Sequence, residues 1–270
     1  MTASTATIFK VTHGVATLTL NQADRMNPLT HELRGGCLEA LQRVRDDTTI
    51  QALIITAMGK GFCVGADLDE FGRRAAEPGA SLDSYVGQMM EESGNPIVAG
   101  IRSLPVPVVC ALNGAAAGGG VGLALAADMV IASRSAYFYL PFVPALGLVP
   151  DMGASWVLPR SIGRARALGL ALTGHRLSAE TAAQWGLIWA CVDDADLQAQ
   201  ALQLATQLAA LPAGAVTEAR QLFAAAESNT FDDQLALERS RQMELIDHPN
   251  FAEGVAAFAA RRKPMFKGRG

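Results

Sequence analysis

Apolar and polar positions alternate with two different periods along this chain, and each change of period marks an element. Thr7–Val11 and Val15–Leu20 flank the turn His13-Gly14, which predicts a hairpin. Asn21–Pro28 reads as a loop. Leu29–Arg45 carries Leu33, Cys37 and Leu41 four residues apart, the spacing of one helix face. Ala52–Ile55, Val106–Leu112 and Met129–Ala132 are short unbroken apolar runs, the pattern of strands buried on both faces. Between the first two runs lies a polar stretch, Glu70–Ser93, containing Pro78-Gly79, which suits a mobile excursion with some helix.

The second half reads differently. Ser161–Leu172 has helical character and stops at Gly174, and Ser178 caps a helix stopped by Gly186. From Leu197 onward the chain is dominated by Ala, Leu, Gln and Glu and should be helical. There Thr230 with Asp233 forms a capping signature, and Phe251, Val255 and Phe258 share one helix face. Repeated strand–strand–helix units imply a right-handed α/β arrangement. We therefore expect an α/β core over 1–196 and a helical region over 197–270 that packs on the core or on a neighbouring subunit.

Composition narrows the classes. Half of the 270 residues are hydrophobic, 18% are charged and the net charge is −4, so no global field favours nucleic acid or an anionic membrane surface. Leu104–Ala127 lacks charge over a length that could cross a bilayer, but Pro105, Pro107, Asn113 and five glycines break it, so no membrane span is expected. Met1–Thr7 has neither the basic start nor the apolar centre of a signal peptide. Cys37, Cys63, Cys110 and Cys191 are scattered, and His13, His31, His175 and His248 stand alone. That pattern suits free thiols in a reducing cytoplasm and argues against a metal site.

The chemistry concentrates in two glycine segments. Asn113–Gly122 (NGAAAGGGVG) follows one buried strand and leads into the helix-like Leu123–Ala127. Gly61–Leu68 (GFCVGADL) repeats the same strand–glycine–helix order. Glycine allows a ligand to approach the backbone, and a helix start leaves N–H groups pointing outward. Two such donors aimed at one point would form an oxyanion hole for a developing carbonyl oxyanion. The glycine-rich turn lacks the G-x-G-x-x-G spacing of a dinucleotide site.

Four segments in order resemble the enoyl-CoA hydratase/isomerase (crotonase) family. They are Asn21–Leu29, Gly61–Leu68, Asn113–Gly122, and Gly147–Asp151 followed by Leu158-Pro159-Arg160 and Gly163–Arg166. The resemblance implies a crotonase-like spiral of ββα units with a C-terminal helical region, assembling as trimers or paired trimers. It implies an acyl-CoA substrate, whose thioester oxygen the N–H groups of Ala66 and Gly119 would bind, and no cofactor beyond the coenzyme A of the substrate. Arg25, Met26, Cys63, Gly65, Asp67, Leu68, Gly118, Phe142 and Lys263 become candidate substrate contacts. Arg262 joins Lys263 as a candidate phosphate ligand, or else belongs to a solvated basic tail. Tyr85, Met89 and Met90 are candidates for the acyl pocket.

Two departures from the family pattern matter most. The places of the two hydratase glutamates hold Gly122 and Phe142, neither of which can move a proton. Asp151, in the apolar stretch Leu146–Pro150, remains as the candidate acid/base, matching an aspartate of some family isomerases, including ring-epoxide isomerases. Its structural alternative is a cap on the helix that follows. Asp67 reads as such a cap, and Asp128 as structural. The expected activity is isomerisation of an acyl-CoA. The alternatives are hydration by unusual residues, an aroyl-CoA dehalogenase, which also needs a histidine absent between His31 and His175, and a non-catalytic acyl-CoA binder.

Overall fold

The computed structural model describes residues 5–79 and 81–269. β1 (Thr7–Thr12) and β2 (Val15–Leu20) pair antiparallel around His13 and Gly14, which hold φ of 49° and 78°. α1 (His31–Asp46) starts where the Thr30 hydroxyl accepts the Leu33 N–H, and it buries Leu33, Cys37, Leu41 and Val44. β3 (Ala52–Ala57) and β4 (Gly61–Cys63) follow, then α2 (Leu68–Ala75), α3 (Leu82–Met89) and α4 (Asn95–Arg102).

The next repeat is β5 (Val108–Leu112), β6 (Ala115–Ala117) and α5 (Gly119–Leu125). After it come β7 (Met129–Ser133), β8 (Tyr137–Tyr139), α6 (Ala154–Ile162), α7 (Arg164–Thr173), β9 (Leu177–Ser178), α8 (Ala179–Gln184) and β10 (Ala190–Val192). In the pairs β3/β4, β5/β6 and β7/β8 the first strand joins a six-stranded sheet in the order β1-β2-β3-β5-β7-β10. The second joins a four-stranded sheet in the order β4-β6-β8-β9. β2, β3, β5, β7 and β10 run parallel, as do β4, β6 and β8. Each repeat thus advances both sheets by one strand, which is the ββα spiral.

The unbroken apolar runs have a direct cause. In β3, Leu53 and Ile55 face the main core while Ala52 and Ile54 face a second cluster; in β5, Val108, Cys110 and Leu112 face one side and Val109 and Ala111 the other. A strand covered on both faces needs apolar residues at every position. The second face is covered by α9 (Leu197–Ala209), which buries Leu197, Ala201 and Ala205 against it. α10 (Ala213–Ala225), α11 (Phe231–Ile246) and α12 (Pro249–Ala259) complete the helical region. Arg220 of α10 is tied to Asp128 and donates to the Val106 carbonyl at 2.7 Å, while Asp128 accepts from Val108 N–H at 2.6 Å, as a structural residue would.

The structure differs from expectation at three places. Glu70–Ser93 is largely helical, because the Asp67 and Ser81 side chains cap α2 and α3 and a π-helical turn, Met90–Gly94, carries α3 into α4. The single helix expected over Ser161–Leu172 belongs to two helices, α6 and α7, which break at Gly163 with φ of 79°. Ala115–Ala117, inside the glycine segment, is a strand. Leu104–Ala127 spans β5, β6 and α5, and no helix among the described residues is long and apolar enough to cross a membrane.

Candidate active site

β4 and β6 are parallel neighbours, so the turns that leave them, one into α2 and one into α5, come side by side. In the first turn Gly65 holds φ of 85° and its carbonyl accepts the Leu29 N–H at 2.7 Å; Ala66 forms an isolated bridge with Leu29. In the second, Gly118 holds φ of 53° and donates its N–H to the Tyr139 carbonyl at 3.0 Å, which delivers Gly119 as the first residue of α5. A β-carbon placed on Gly65 would stand 2.9 Å from Gly119 N and 2.9 Å from the Ala117 carbonyl oxygen. Position 65 therefore requires glycine twice over, for its φ and for the close approach. Among the described residues the N–H groups of Ala66 and Gly119 donate to no acceptor within the chain. For Gly119 this follows from its place, since the first N–H groups of a helix have no intrahelical partner.

Asp151 lies beside this pair of turns. Its Oδ1 is 3.5 Å from where a β-carbon on Gly119 would stand. That oxygen is buried with no hydrogen-bond partner among the described residues. Burial pushes the carboxyl up to about 6, opposed only by the group's own backbone N–H. The cap alternative fails here: α6 starts at Ala154 with no side-chain cap, and it is the Asp151 backbone carbonyl that accepts the Ala154 N–H, at 2.9 Å. A partnerless, desolvated carboxyl next to an unpaired amide is the arrangement expected of a base rather than of a structural acid.

The remaining glycines have packing roles. A β-carbon on Gly120 would collide with the Cys63 carbonyl, and one on Gly122 with the carbonyl oxygen of Met152. Phe142, at the second vacated glutamate position, is buried with Cζ 3.8 Å from a β-carbon on Gly118. Cys63 is fully buried, with its thiol pushed up to about 12 by desolvation, and it meets the glycine turn with its backbone.

Other candidates divide between cleft and elsewhere. Arg25 is engaged by acids: it donates to Asp67 at 2.7 and 3.2 Å and to Asp69 at 2.9 Å, leaving its guanidinium only partly exposed. Asp67 caps α2 by accepting from Asp69 and Glu70 N–H, as expected from the sequence. Met26 packs on Gly61 and is 44% exposed, and Leu68 is 56% exposed at the start of α2. Tyr85 donates to Glu70 and packs edge-on against Phe71, while Met89 and Met90 are half-buried. Arg262 is bound to Glu253, and Lys263 is exposed beyond α12; no contact among the described residues joins either to the cleft within one chain.

Four contributors were not singled out from the sequence. Asn27 is fully buried, accepts from Gln22 N–H, and donates to the carbonyls of Met58 and Gly61, so it fixes the first loop against β4. Leu29 holds the Gly65 carbonyl, and Arg34, itself buried, donates to the Leu29 carbonyl and to Ser93. Met152 packs its Sδ 2.7 Å from where a Gly119 β-carbon would be. Asn27 and Leu29 stand within the Asn21–Leu29 segment; nothing in the sequence around Met152 marks it. No group of three His, Cys, Asp or Glu residues among those described could hold a metal ion.

The ββα repeats, with the two glycine turns side by side, mark out the class of protein. The profile of the enoyl-CoA hydratase/isomerase family matches residues 10–269, and the chain belongs to that family. The chain is 46% identical over 259 residues to the 1,2-epoxyphenylacetyl-CoA isomerase of Escherichia coli (strain K12), covering 96% of this chain and 97% of that one. It is 42% identical to a Rhodobacter capsulatus protein named "Probable enoyl-CoA hydratase", covering 97% of both. The crystal structure of an enoyl-CoA hydratase from Polaromonas sp. JS666 superposes with a TM-score of 0.89 at 34% identity, covering 97% of this chain and 99% of that one.

Proposed function

We propose that the protein is an acyl-CoA isomerase that moves a double bond, or opens a ring epoxide, through a thioester enolate. The N–H groups of Ala66 and Gly119 would hold the thioester oxygen as it gains negative charge. A preorganised donor of this kind contributes about 3 kcal/mol to such a step. Asp151 would take the proton from carbon and return it at another carbon, and it needs no cofactor beyond the coenzyme A carried by the substrate. The observation that carries this reading is the buried, unpartnered Oδ1 of Asp151 beside Gly119. A base poised near 6 is ionised at neutral pH yet basic enough to accept a proton.

The similarity to a 1,2-epoxyphenylacetyl-CoA isomerase supports an aryl-acyl-CoA as one substrate class. The hydratase name of another relative keeps hydration as the second reading. Against it stand Gly122 and Phe142, which leave no second acid to activate water. Exposed apolar side chains on the helical region, Phe223, Phe231, Phe251 and Phe258 among them, support burial against further copies in a homo-trimer or hexamer. Scattered free thiols suit the reducing conditions of a cytoplasm.

The deciding experiment incubates the protein with 2-enoyl- and 3-enoyl-CoA in D2O. Double-bond migration with deuterium uptake that is lost in Asp151→Asn supports the isomerase. Formation of 3-hydroxyacyl-CoA that survives that substitution supports the hydratase. Acyl-CoA binding without any exchange at carbon leaves only a binder.

A further inference from the structure

We propose that Met152 is the positioning residue of this site: its side chain keeps water from the Asp151 carboxyl and holds that carboxyl against the Gly119 turn. The inference rests on Asp151 being the acid/base. Its grounds are geometric. Met152 is buried and holds φ of 47°, a left-handed conformation that a non-glycine residue rarely adopts. Strain of this kind persists only where the surroundings hold it in place. Here they are plain. The Met152 carbonyl and β-carbon fill the space above Gly122, the latter 2.7 Å from where a β-carbon there would be, and its Sδ lies as close to the corresponding point on Gly119. One residue therefore spans the first turn of α5, and the left-handed turn at 152 leaves Asp151 on the Gly119 side, with Oδ1 3.5 Å from the Gly119 β-carbon position.

No charge takes over that task. The causes that move the Asp151 carboxyl are burial and its own backbone N–H, with no charged neighbour among them. α5 and the segment Phe142–Leu146 carry no titratable side chain. Across the cleft, Arg25 is engaged by Asp67 and Asp69. On α6 the one charged residue is Arg160, which is stacked on Trp156 at 4.1 Å and paired with Glu227. Burial is thus what sets the basicity of Asp151, and the Met152 thioether, which meets the same point above Gly119 as the Asp151 carboxyl, is an element of that cover that a mutation can remove alone.

The test uses Met152→Gly, which relaxes the positive φ, Met152→Gln, which keeps the length and brings an amide donor to Oδ1, and Met152→Leu, which refills the space. The Asp151 carboxyl is titrated by 13C NMR in the free protein, and kcat and KM are measured on an isomerised enoyl-CoA. In Met152→Gly and Met152→Gln the carboxyl should titrate about one to two pH units lower, toward the ordinary value near 4. kcat should fall about tenfold or more with KM changed less than about twofold, and Met152→Leu should restore both. A carboxyl that still titrates near its wild-type value in folded Met152→Gln overturns the proposal, as does a kcat unchanged in all three variants. The titration needs no turnover. If the wild type isomerises nothing while the NMR shifts occur, the isomerase reading falls and the positioning role of Met152 stands.

Discussion

The carbonyl oxygen of Met152 occupies the space that a side chain at Gly122 would need. The family resemblance sets a hydratase glutamate at that position, and here the backbone before α6 fills the space such a side chain would need. Gly122→Ala should therefore destabilise the fold by about 1–3 kcal/mol, the usual cost of overpacking against rigid neighbours, and Gly122→Glu by more. Denaturant unfolding measures both. Gly122→Glu should not gain hydratase activity, and a variant that folds normally and hydrates enoyl-CoA would show that the loop yields readily.

Asp151→Asn should lower kcat for isomerisation by about 10²- to 10⁴-fold, the usual contribution of a positioned acid/base, with KM nearly unchanged if, as proposed, the amides of Ala66 and Gly119 bind the thioester. In the wild type kcat/KM should rise with pH through about 6, as the carboxyl becomes a carboxylate able to take the proton. A rate independent of pH between about 5 and 7 would remove Asp151 from the proton transfer.

The same carboxyl makes stability depend on pH, with a definite sign. Its folded value, about 6, lies above the unfolded value near 4. The protonated form therefore stabilises the fold fully below about 4, and that contribution is lost as pH rises through about 6. The loss is on the order of 2 kcal/mol, discounted because the residue is not fully shielded from solvent. Asp151→Asn, which stays neutral, should be more stable than the wild type near pH 8 and equal to it near pH 4, as followed by thermal unfolding. Equal stability at both would mean the carboxyl is better solvated than its surroundings indicate.

Much of this architecture was legible in the sequence because it is written in local signals. Asp67, Ser178 and Thr230 each cap the helix that their position suggested. The parallel strands announced themselves as apolar runs because both of their faces are covered. What escaped reading depended on distant partners. Ala115–Ala117 is a strand only because β4 and β8 flank it, and its alanines carry no strand signal of their own. α9 resembles any Ala- and Leu-rich helix, yet Leu197, Ala201 and Ala205 are core, which only the second face of the sheet reveals. At the site, Asp151 could be chosen by the company it keeps in sequence. Met152 could not, since its importance lies in contacts with glycines thirty and more positions away.

Asp67 offers a last test, because it joins the first loop to the oxyanion turn. Its carboxylate caps α2 and holds Arg25, and Ala66 immediately precedes it. Burial would raise its proton affinity, but the hydrogen bond from Arg25, the N–H of Glu70 and the Arg25 charge outweigh it, so the carboxyl lies below the usual range. A depressed value contributes stability above the unfolded value near 4, and that contribution is lost as pH falls further. Asp67→Ala should cost about 1 kcal/mol near neutral pH from the lost cap alone. Asp67→Asn keeps an acceptor for the cap and loses the ion pair, so it should fall between Asp67→Ala and the wild type. The differences should shrink below about pH 4. Because Ala66 is anchored next door, kcat/KM should fall in the same order as stability. An Asp67→Ala variant with normal kcat/KM would mean that the bridge between Leu29 and Ala66 positions the amide without help from the cap.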